Sequence, residues 1–208
     1  MTRQQAFSAF ALAILAATCV GCGEDGSPHG RAAVEQACDG VVDSAAIREA
    51  ERNDRFEQLF VKGPASGDSH SKAAQELIST EQAAYACELS IDDTTGWDKG
   101  LSIKFIPGPE RLFPERENRS FDSYKAYKLG SGIQATSESG LAAVFFPCQR
   151  RDDEQPNYIT GTFFNDLDLT VQTQFRVLFR SSAKMIKLLK CENEIQFPAP
   201  DAMKALPR

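Results

Sequence analysis

The chain has 208 residues, with 29 acidic and 23 basic side chains and a formal net charge of −6 at pH 7. This acidic balance argues against a nucleic-acid partner, which would need clustered lysine and arginine, and against attachment to anionic lipid through a basic patch. The hydrophobic content of 42% is ordinary for a globular protein.

The first 23 residues are typical of a bacterial export signal. Arg3 supplies a positive charge, and the apolar core Ala9–Ala17 is shorter than the ~20 residues that span a membrane. The end of the run resembles a bacterial lipobox, in which a small residue precedes the cysteine that becomes lipid-modified. Gly21 and Cys22 fit that ending, whereas Cys19 stands where an aliphatic residue is usual.

We therefore predict cleavage before Cys22, with residues 1–21 as the signal peptide and Cys22 as the lipidated (palmitate-bearing) residue. Two acyl chains on one cysteine suffice for stable anchoring, which predicts a protein on the extracytoplasmic face of the cell membrane. Cleavage before Cys19, ordinary secretion after cleavage behind Gly23 and an uncleaved anchor are the alternatives. Because Arg3 is the only charged residue lost, the mature chain has 22 basic and 29 acidic side chains, a net charge of −7.

Four cysteines remain once Cys19 is removed and Cys22 is acylated, and an even number in an exported chain indicates two disulfides. They are Cys38, Cys87, Cys148 and Cys191. Cleavage before Cys19 would leave Cys22 as an odd thiol. Three connectivities are open, and we favour Cys38–Cys87 and Cys148–Cys191, each closing a medium loop worth ~2–4 kcal/mol.

The mature chain is long enough for one domain. The small, polar residues 22–34 are predicted to be a flexible tether, residues 35–198 a single domain, and the proline-marked residues 199–208 a tail that leaves the fold. Asp43 or Ser44 can cap a short helix over Ala45–Arg52. Three apolar residues follow as core anchors: Phe56, Leu59 and Phe60.

A second helix is predicted over Ser71–Ala83 by its apolar stripe. Alternation of period two predicts two strands, at residues 85–91 and 101–105, and three more are expected further along the chain, which makes about five. The further three are Ser123–Leu129, Leu141–Phe146 and Tyr158–Phe164, and Ile133–Thr136 is a possible short extra strand.

The clearest helix comes last, over Thr170–Lys190. Its apolar residues recur at helical spacing, and its basic residues lie largely off that stripe. Asp166 and Asp168 precede it and Lys187 lies near its end, which suits the helix dipole. The fold class predicted is α+β, an antiparallel sheet with helices packed on one face and a long C-terminal helix.

Several fragments resemble a group of small actinomycete cell-surface lipoproteins of uncharacterised function. They are Cys38-Asp-Gly-Val-Val-Asp43, Asn53-Asp-Arg-Phe56, Phe145-Phe-Pro-Cys148 and Cys191-Glu-Asn193. The resemblance implies a surface lipoprotein with paired cysteines and implies no reaction.

No catalytic, cofactor-binding or metal-binding residues are predicted. Asp68-Ser69-His70-Ser71 holds three triad residue types, but catalytic triads are assembled in space rather than from neighbours. The acidic runs Asp92-Asp93 and Asp152-Asp153-Glu154 lack EF-hand spacing and are typical of solvated turns. Gly130-Ser131-Gly132 lacks the setting of a phosphate-binding loop, and Asn118 heads a formal glycosylation motif.

Three functions remain open. The favoured one is a lipid-anchored, non-catalytic module that binds a protein or small-molecule partner. The others are an exported hydrolase acting on envelope material and a lipid carrier with an apolar cavity. A cleft in which His70 meets a serine and an acidic residue would favour the hydrolase, and a large apolar pocket would favour the carrier.

Overall fold

The computed structural model describes residues 28–61, 69–91, 99–108, 124–151 and 157–207. Their helices are α1 (Gly30–Ala37), α2 (Ser44–Ala50), α3 (Ser69–Thr80) and α4 (Val171–Leu189). Their strands are β1 (Leu59–Phe60), β2 (Ala84–Ile91), β3 (Lys99–Gly108), β4 (Lys125–Gly130), β5 (Ile133–Glu138), β6 (Leu141–Cys148) and β7 (Asn157–Asn165). The predicted signal peptide and Cys22 lie outside the described residues.

The strands form one antiparallel sheet in the order β1-β2-β3-β7-β6-β5-β4. This confirms the α+β class and corrects the expected number of strands from about five to seven. Strand β1 was missed because two residues are too few to show an alternation, and it exists by pairing with the end of β2. The possible extra strand at Ile133–Thr136 is present as β5.

Three of the four helices described pack on strands of the sheet. Helix α3 packs on β2 and β3, α4 packs on β6 and β7, and α1 packs on β1 and β2. In β7, Ile159, Gly161 and Phe163 are buried on the helix side and alternate with less buried residues. This period-two burial is the one the sequence predicted for a sheet covered on one face.

Helix α4 begins and ends with identifiable caps. The Thr170 side chain accepts a hydrogen bond from the Thr173 N–H, and Lys190 ends the helix in the left-handed conformation at φ 58°. The Cys191 N–H donates to the Ile186 carbonyl over 3.1 Å, which satisfies a carbonyl left open by the helix end. The expected boundaries of this helix are therefore confirmed to within one residue.

Asp166 and Asp168, which were expected to favour the dipole of α4, instead contact residues that follow α2. Asp168 accepts a hydrogen bond from Asn53 over 3.1 Å, and Asp166 forms an ion pair with Arg55. The carboxylate at the start of α4 is instead that of Glu49, which accepts from the Thr170 N–H. A residue 121 positions earlier thus supplies the negative charge that the helix dipole favours.

Both ends of the predicted domain need correction. Residues 30–34, expected in the tether, lie in α1, where Ala33 and Val34 are buried against the core. The expected tail returns to the fold, since the Leu206 N–H donates to the Ala126 carbonyl of edge strand β4 over 2.8 Å. Unpaired edge backbone is a liability, and this contact covers part of it.

Two disulfides fasten helices to the sheet, and they are the two pairings favoured from the sequence. Cys38, directly after α1, is bonded to Cys87 of β2 with a Cα–Cα distance of 4.7 Å. Cys148, at the end of β6, is bonded to Cys191 with a Cα–Cα distance of 5.0 Å.

Gly161 determines how closely α4 approaches the sheet. A Cβ atom at this position would lie 2.9 Å from the Phe105 ring, 3.2 Å from Ser182 Oγ and 3.3 Å from Leu178. We expect Gly161→Ala to lower the free energy of unfolding by about 1–3 kcal/mol, because α4 must move outward. Urea unfolding of the predicted mature chain (residues 22–208, carrying Cys22→Ala) measures the change.

Gly108→Ala is the matched control. Its added Cβ would meet only Thr160 Oγ1 closely, at 3.0 Å, and that hydroxyl can rotate. We expect the smaller loss here. Equal stability of Gly161→Ala and the parent chain would contradict the close contact between α4 and β7.

Candidate functional site

His70 meets a carboxylate and a serine hydroxyl inside the protein. Its Nδ1 lies 3.1 Å from Asp39 Oδ2, and its Nε2 lies 2.7 Å from Ser181 Oγ. His70 and Ser181 have no exposed surface, and the Asp39 side chain is 2% exposed. We call Asp39, His70, Ser181 and Lys184 the buried polar cluster.

Three elements place this cluster. Asp39 follows the disulfide-bonded Cys38 in the left-handed conformation at φ 50°, and its carboxylate also accepts from the His70 backbone N–H over 3.0 Å. His70 lies in the first turn of α3, whose Ser69 hydroxyl donates to the Ala37 carbonyl. Ser181 lies in the middle of α4. The cluster therefore joins the end of α1 to α3 and α4.

Basic residues one turn apart on α4 hold the segment between α1 and α2. Lys184 Nζ lies 3.3 Å from Asp39 Oδ2, and Arg180 Nη1 lies 2.9 Å from Asp43 Oδ2. Arg176 adds a third contact, with its Nε 3.3 Å from the same Asp43 oxygen. Asp43 also caps α2, as predicted, by accepting from the Ala46 N–H.

The protonation of the cluster follows from its burial and its partners. Burial lowers the pKa of His70, and the hydrogen bond to Asp39 opposes this only in part. Burial alone would raise the pKa of Asp39, but hydrogen bonds from His70 and the charge of Lys184 outweigh it and lower that pKa. Asp39 is therefore ionised and His70 neutral at pH 7.

The order Asp–His–Ser is that of a hydrolase triad, but the surroundings are those of a structural core. A catalytic serine needs access to substrate and donors aimed at a developing oxyanion. Ser181 has no exposed surface, and N–H groups in the middle of a helix are already bonded to carbonyls four residues earlier. The arrangement can fix three helices, and it offers no approach to an acyl group.

The sequence named His70 but not its partners. Of the local set Asp68-Ser69-His70-Ser71, the structure brings only His70 into the cluster, and Asp68 lies outside the described residues. Asp39 and Ser181 come from 31 and 111 positions away. One pattern in the sequence does point to the contact between α4 and the segment after α1. Arg176, Arg180 and Lys184 recur every four residues, and Asp39 and Asp43 have the same spacing.

Several other candidate positions from the sequence lie outside the described residues: Asp92-Asp93, Asp152-Asp153-Glu154 and Asn118. Gly130, Ser131 and Gly132 form the tight turn between β4 and β5, all with positive φ. Within the described part of the chain, no group of three or more histidine, cysteine or acidic residues is placed to hold a metal ion. No helix among those residues is long and apolar enough to cross a membrane.

An open groove lies at the far end of α3 from His70. Its inner part, about 260 Å³, is lined by the ends of α3, β3 and α4 and the start of β7, including Leu77, Ile78, Pro107, Ile159 and Leu189. Its outer part, about 700 Å³, adjoins it through Ile78 and Leu189. The Cys148–Cys191 disulfide forms the wall between β6 and α4.

The lining of the groove mixes polar and apolar surface, and the outer part is the more apolar of the two. Ile78 is 49% exposed and lines both parts of the groove. Glu81 and Arg150 line the inner part, and Arg150, Arg151, Lys190 and Glu192 line the outer part. Tyr158 lines the inner part with its ring stacked on Phe145, their centroids 4.8 Å apart. The groove is therefore concave, with both apolar and charged side chains in its lining.

Comparison of the chain with protein family models, curated proteins and solved structures gives no match.

The neutral state of buried His70 makes stability depend on pH. An unfolded histidine takes up a proton below its ordinary pKa of about 6.5, whereas folded His70 does so only at a lower pH. The free energy of unfolding should therefore have its full value above about pH 6.5. Below that pH it should fall by at most about 1.4 kcal/mol per pH unit. We expect His70→Asn to flatten this slope in urea unfolding of the mature chain between pH 7 and 5.

His29→Asn is the matched control, because His29 and His70 are the only two histidines. His29 is exposed, so its replacement should leave the slope unchanged. If His70→Asn keeps the pH dependence of stability of the parent chain, another group is responsible for it.

Proposed function

We propose that the protein is a lipid-anchored binding protein on the extracytoplasmic face of the cell membrane, with no catalytic role for its domain. The Gly21-Cys22 lipobox supports the anchor. The two disulfides suit an oxidising compartment outside the cytoplasm. The resemblance to small actinomycete lipoproteins points the same way.

The observation that carries the binding role is the groove between the ends of α3 and α4. It is open, presents the half-exposed side chain of Ile78, and is lined by both cysteines of the Cys148–Cys191 disulfide. A preformed concave surface with apolar lining and few polar groups is the usual form of a ligand site. The buried polar cluster, in contrast, is closed to any ligand.

The topology sets the direction in which the groove faces. The chain enters the fold at His29, which bridges Phe60 of β1, and β1 pairs with the last residues of β2. The groove lies where β2 begins and β3 ends, about 25 Å away along β2. With Cys22 six residues before Pro28, a lipid anchor would hold the domain close to the membrane and the groove would face away from it.

One observation favours the hydrolase as a second candidate function: His70 lies within hydrogen-bond distance of both Asp39 and Ser181. We expect a fluorophosphonate probe to leave Ser181 of the folded protein unlabelled, because Ser181 Oγ is buried and bonded to His70. Intact mass after incubation measures labelling, and a serine hydrolase treated in parallel shows that the probe is active. Stoichiometric labelling at Ser181 would support the hydrolase.

Lipidation is tested with the full chain expressed in a bacterial host that processes lipoproteins. We expect wild type in the membrane fraction, with an intact mass that includes the acyl chains, and Cys22→Ala as an unmodified protein. Cys19→Leu is the control: it restores the aliphatic residue of the lipobox and should be lipidated at least as well. Unmodified, soluble wild type would overturn the anchor.

A further inference from the structure

We infer that the wall of the groove contains a site of thiol–disulfide exchange, at which the thiolate of a small-molecule thiol attacks Cys191 and opens the Cys148–Cys191 disulfide. The inference concerns covalent chemistry and does not rest on the binding role proposed above. It depends on three observations: the unequal exposure of the four cysteines, the side from which Cys191 is reached, and the contacts that keep Cys148 and Cys191 together.

The four disulfide-bonded cysteines differ in exposure. Cys38 has no exposed surface, Cys87 is 1% exposed and Cys148 is 2% exposed, whereas Cys191 is partly exposed. A disulfide reacts with an external thiolate only where one of its sulfurs can be reached. The Cys38–Cys87 disulfide therefore needs an opening of the fold before it reacts, and the Cys148–Cys191 disulfide does not.

The outer part of the groove leads to Cys191 rather than to Cys148. Cys191 lines the outer part, about 700 Å³, and Cys148 lines the inner part. A thiolate approaches a disulfide sulfur along the S–S axis, from the side opposite the leaving sulfur. A thiolate in the outer part reaches Cys191 with Cys148 behind it, which is the direction that exchange requires. Because Cys191 lies in a concave wall, a small thiol fits this approach better than the surface of a folded protein does.

The exchange balances with the thiol as its only co-reactant. The attacking sulfur forms a bond to Cys191 Sγ, the bond to Cys148 Sγ breaks, and its electron pair leaves with Cys148 as a thiolate. The inner part has polar as well as apolar lining and, at about 260 Å³, room for water, so this thiolate can take up a proton there. A second thiolate that attacks the mixed disulfide releases Cys191 as a thiolate, and the two small thiols leave as their disulfide.

Hydrogen bonds hold the two cysteines together when the bond opens. The Glu192 N–H donates to the Gln149 carbonyl over 2.6 Å, and the Gln149 N–H donates to Asn193 Oδ1 over 2.7 Å. The Asn193 side chain also donates to the Pro147 carbonyl over 3.0 Å. Cys148 therefore stays close enough to attack the mixed disulfide and expel the small thiol. The exchange is thus reversible within the folded domain.

The experiment follows both disulfides of the mature chain during exposure to reduced glutathione. N-ethylmaleimide traps free thiols at each time, and mass spectrometry of a non-reduced digest identifies them and any glutathione adduct. We expect Cys148–Cys191 to open at least about ten-fold faster than Cys38–Cys87, with a transient adduct on Cys191. Mild urea should accelerate the opening of Cys38–Cys87 and leave that of Cys148–Cys191 almost unchanged, because only the former requires the fold to open.

Two pairs of variants locate the reaction. Cys148→Ser and Cys191→Ser lose the same disulfide, and each keeps one of its two thiols. Oxidised glutathione should modify Cys191 in the first variant at least about ten-fold faster than Cys148 in the second. Ile78→Trp should slow the opening of Cys148–Cys191 at least about three-fold by filling the groove. Leu206→Trp, at a side chain similarly exposed (47% against 49%) but outside the groove lining, should leave the rate unchanged.

Three results would overturn the inference. If the two disulfides open at the same rate, or if Cys148–Cys191 opens only in urea, the reaction follows unfolding rather than attack in the groove. If glutathione is found on Cys148 and not on Cys191, the assigned sulfur is wrong. If Ile78→Trp opens as fast as the parent chain, the groove is not the route of attack. None of these results affects the lipid anchor or the binding role proposed above.

Discussion

The arrangement of the helices depends on one buried carboxylate, that of Asp39. An ionised carboxylate with 2% exposure is tolerated only where hydrogen bonds and opposite charge replace its water. The replacements come from α3, through the backbone and ring of His70, and from α4, through Lys184. Moving α3 would remove the two contacts from His70, and moving α4 would remove the ion pair with Lys184, so Asp39 links the positions of these two helices.

Helix α4 connects the two ends of the molecule. Its apolar face lies on β6 and β7, where Gly161 permits close approach, and its basic residues hold the turn that carries Asp39. Its first turn is capped by Glu49 from α2. Its last turn forms one wall of the groove and continues into Cys191. One helix therefore contacts both the buried polar cluster and the groove.

Patterns of local origin were readable from the sequence, and contacts across long separations were not. The apolar stripe of α4, the strand at β7 and the cap at Asp43 each depend on neighbours within a few residues, and each prediction is confirmed. The buried polar cluster unites residues that are far apart in the chain, which no periodicity encodes. Residues 30–34, the first part of α1, were assigned to a tether because that segment is small and polar and contains Gly and Pro, yet α1 packs against β1 and β2.

The groove was invisible to sequence analysis for a related reason. Leu77, Ile78 and Leu189 belong to the apolar stripes of two helices, and a stripe does not reveal which of its last residues run past the edge of the sheet. Only the relative lengths of α3, α4 and the strands decide that Ile78 remains exposed. Apolar residues at helix ends are therefore the positions where core and binding surface are hardest to separate from sequence.

The Cys38–Cys87 disulfide also determines how the domain responds to mechanical force. A pull on the N-terminal end can unwind only residues 28–37 before the load reaches Cys38 and passes through the covalent bond into β2, which has strands on both sides. Those ten residues extend to about 35 Å. Beyond that length the load enters the fold at β2, a strand held by hydrogen bonds to a neighbour on each side.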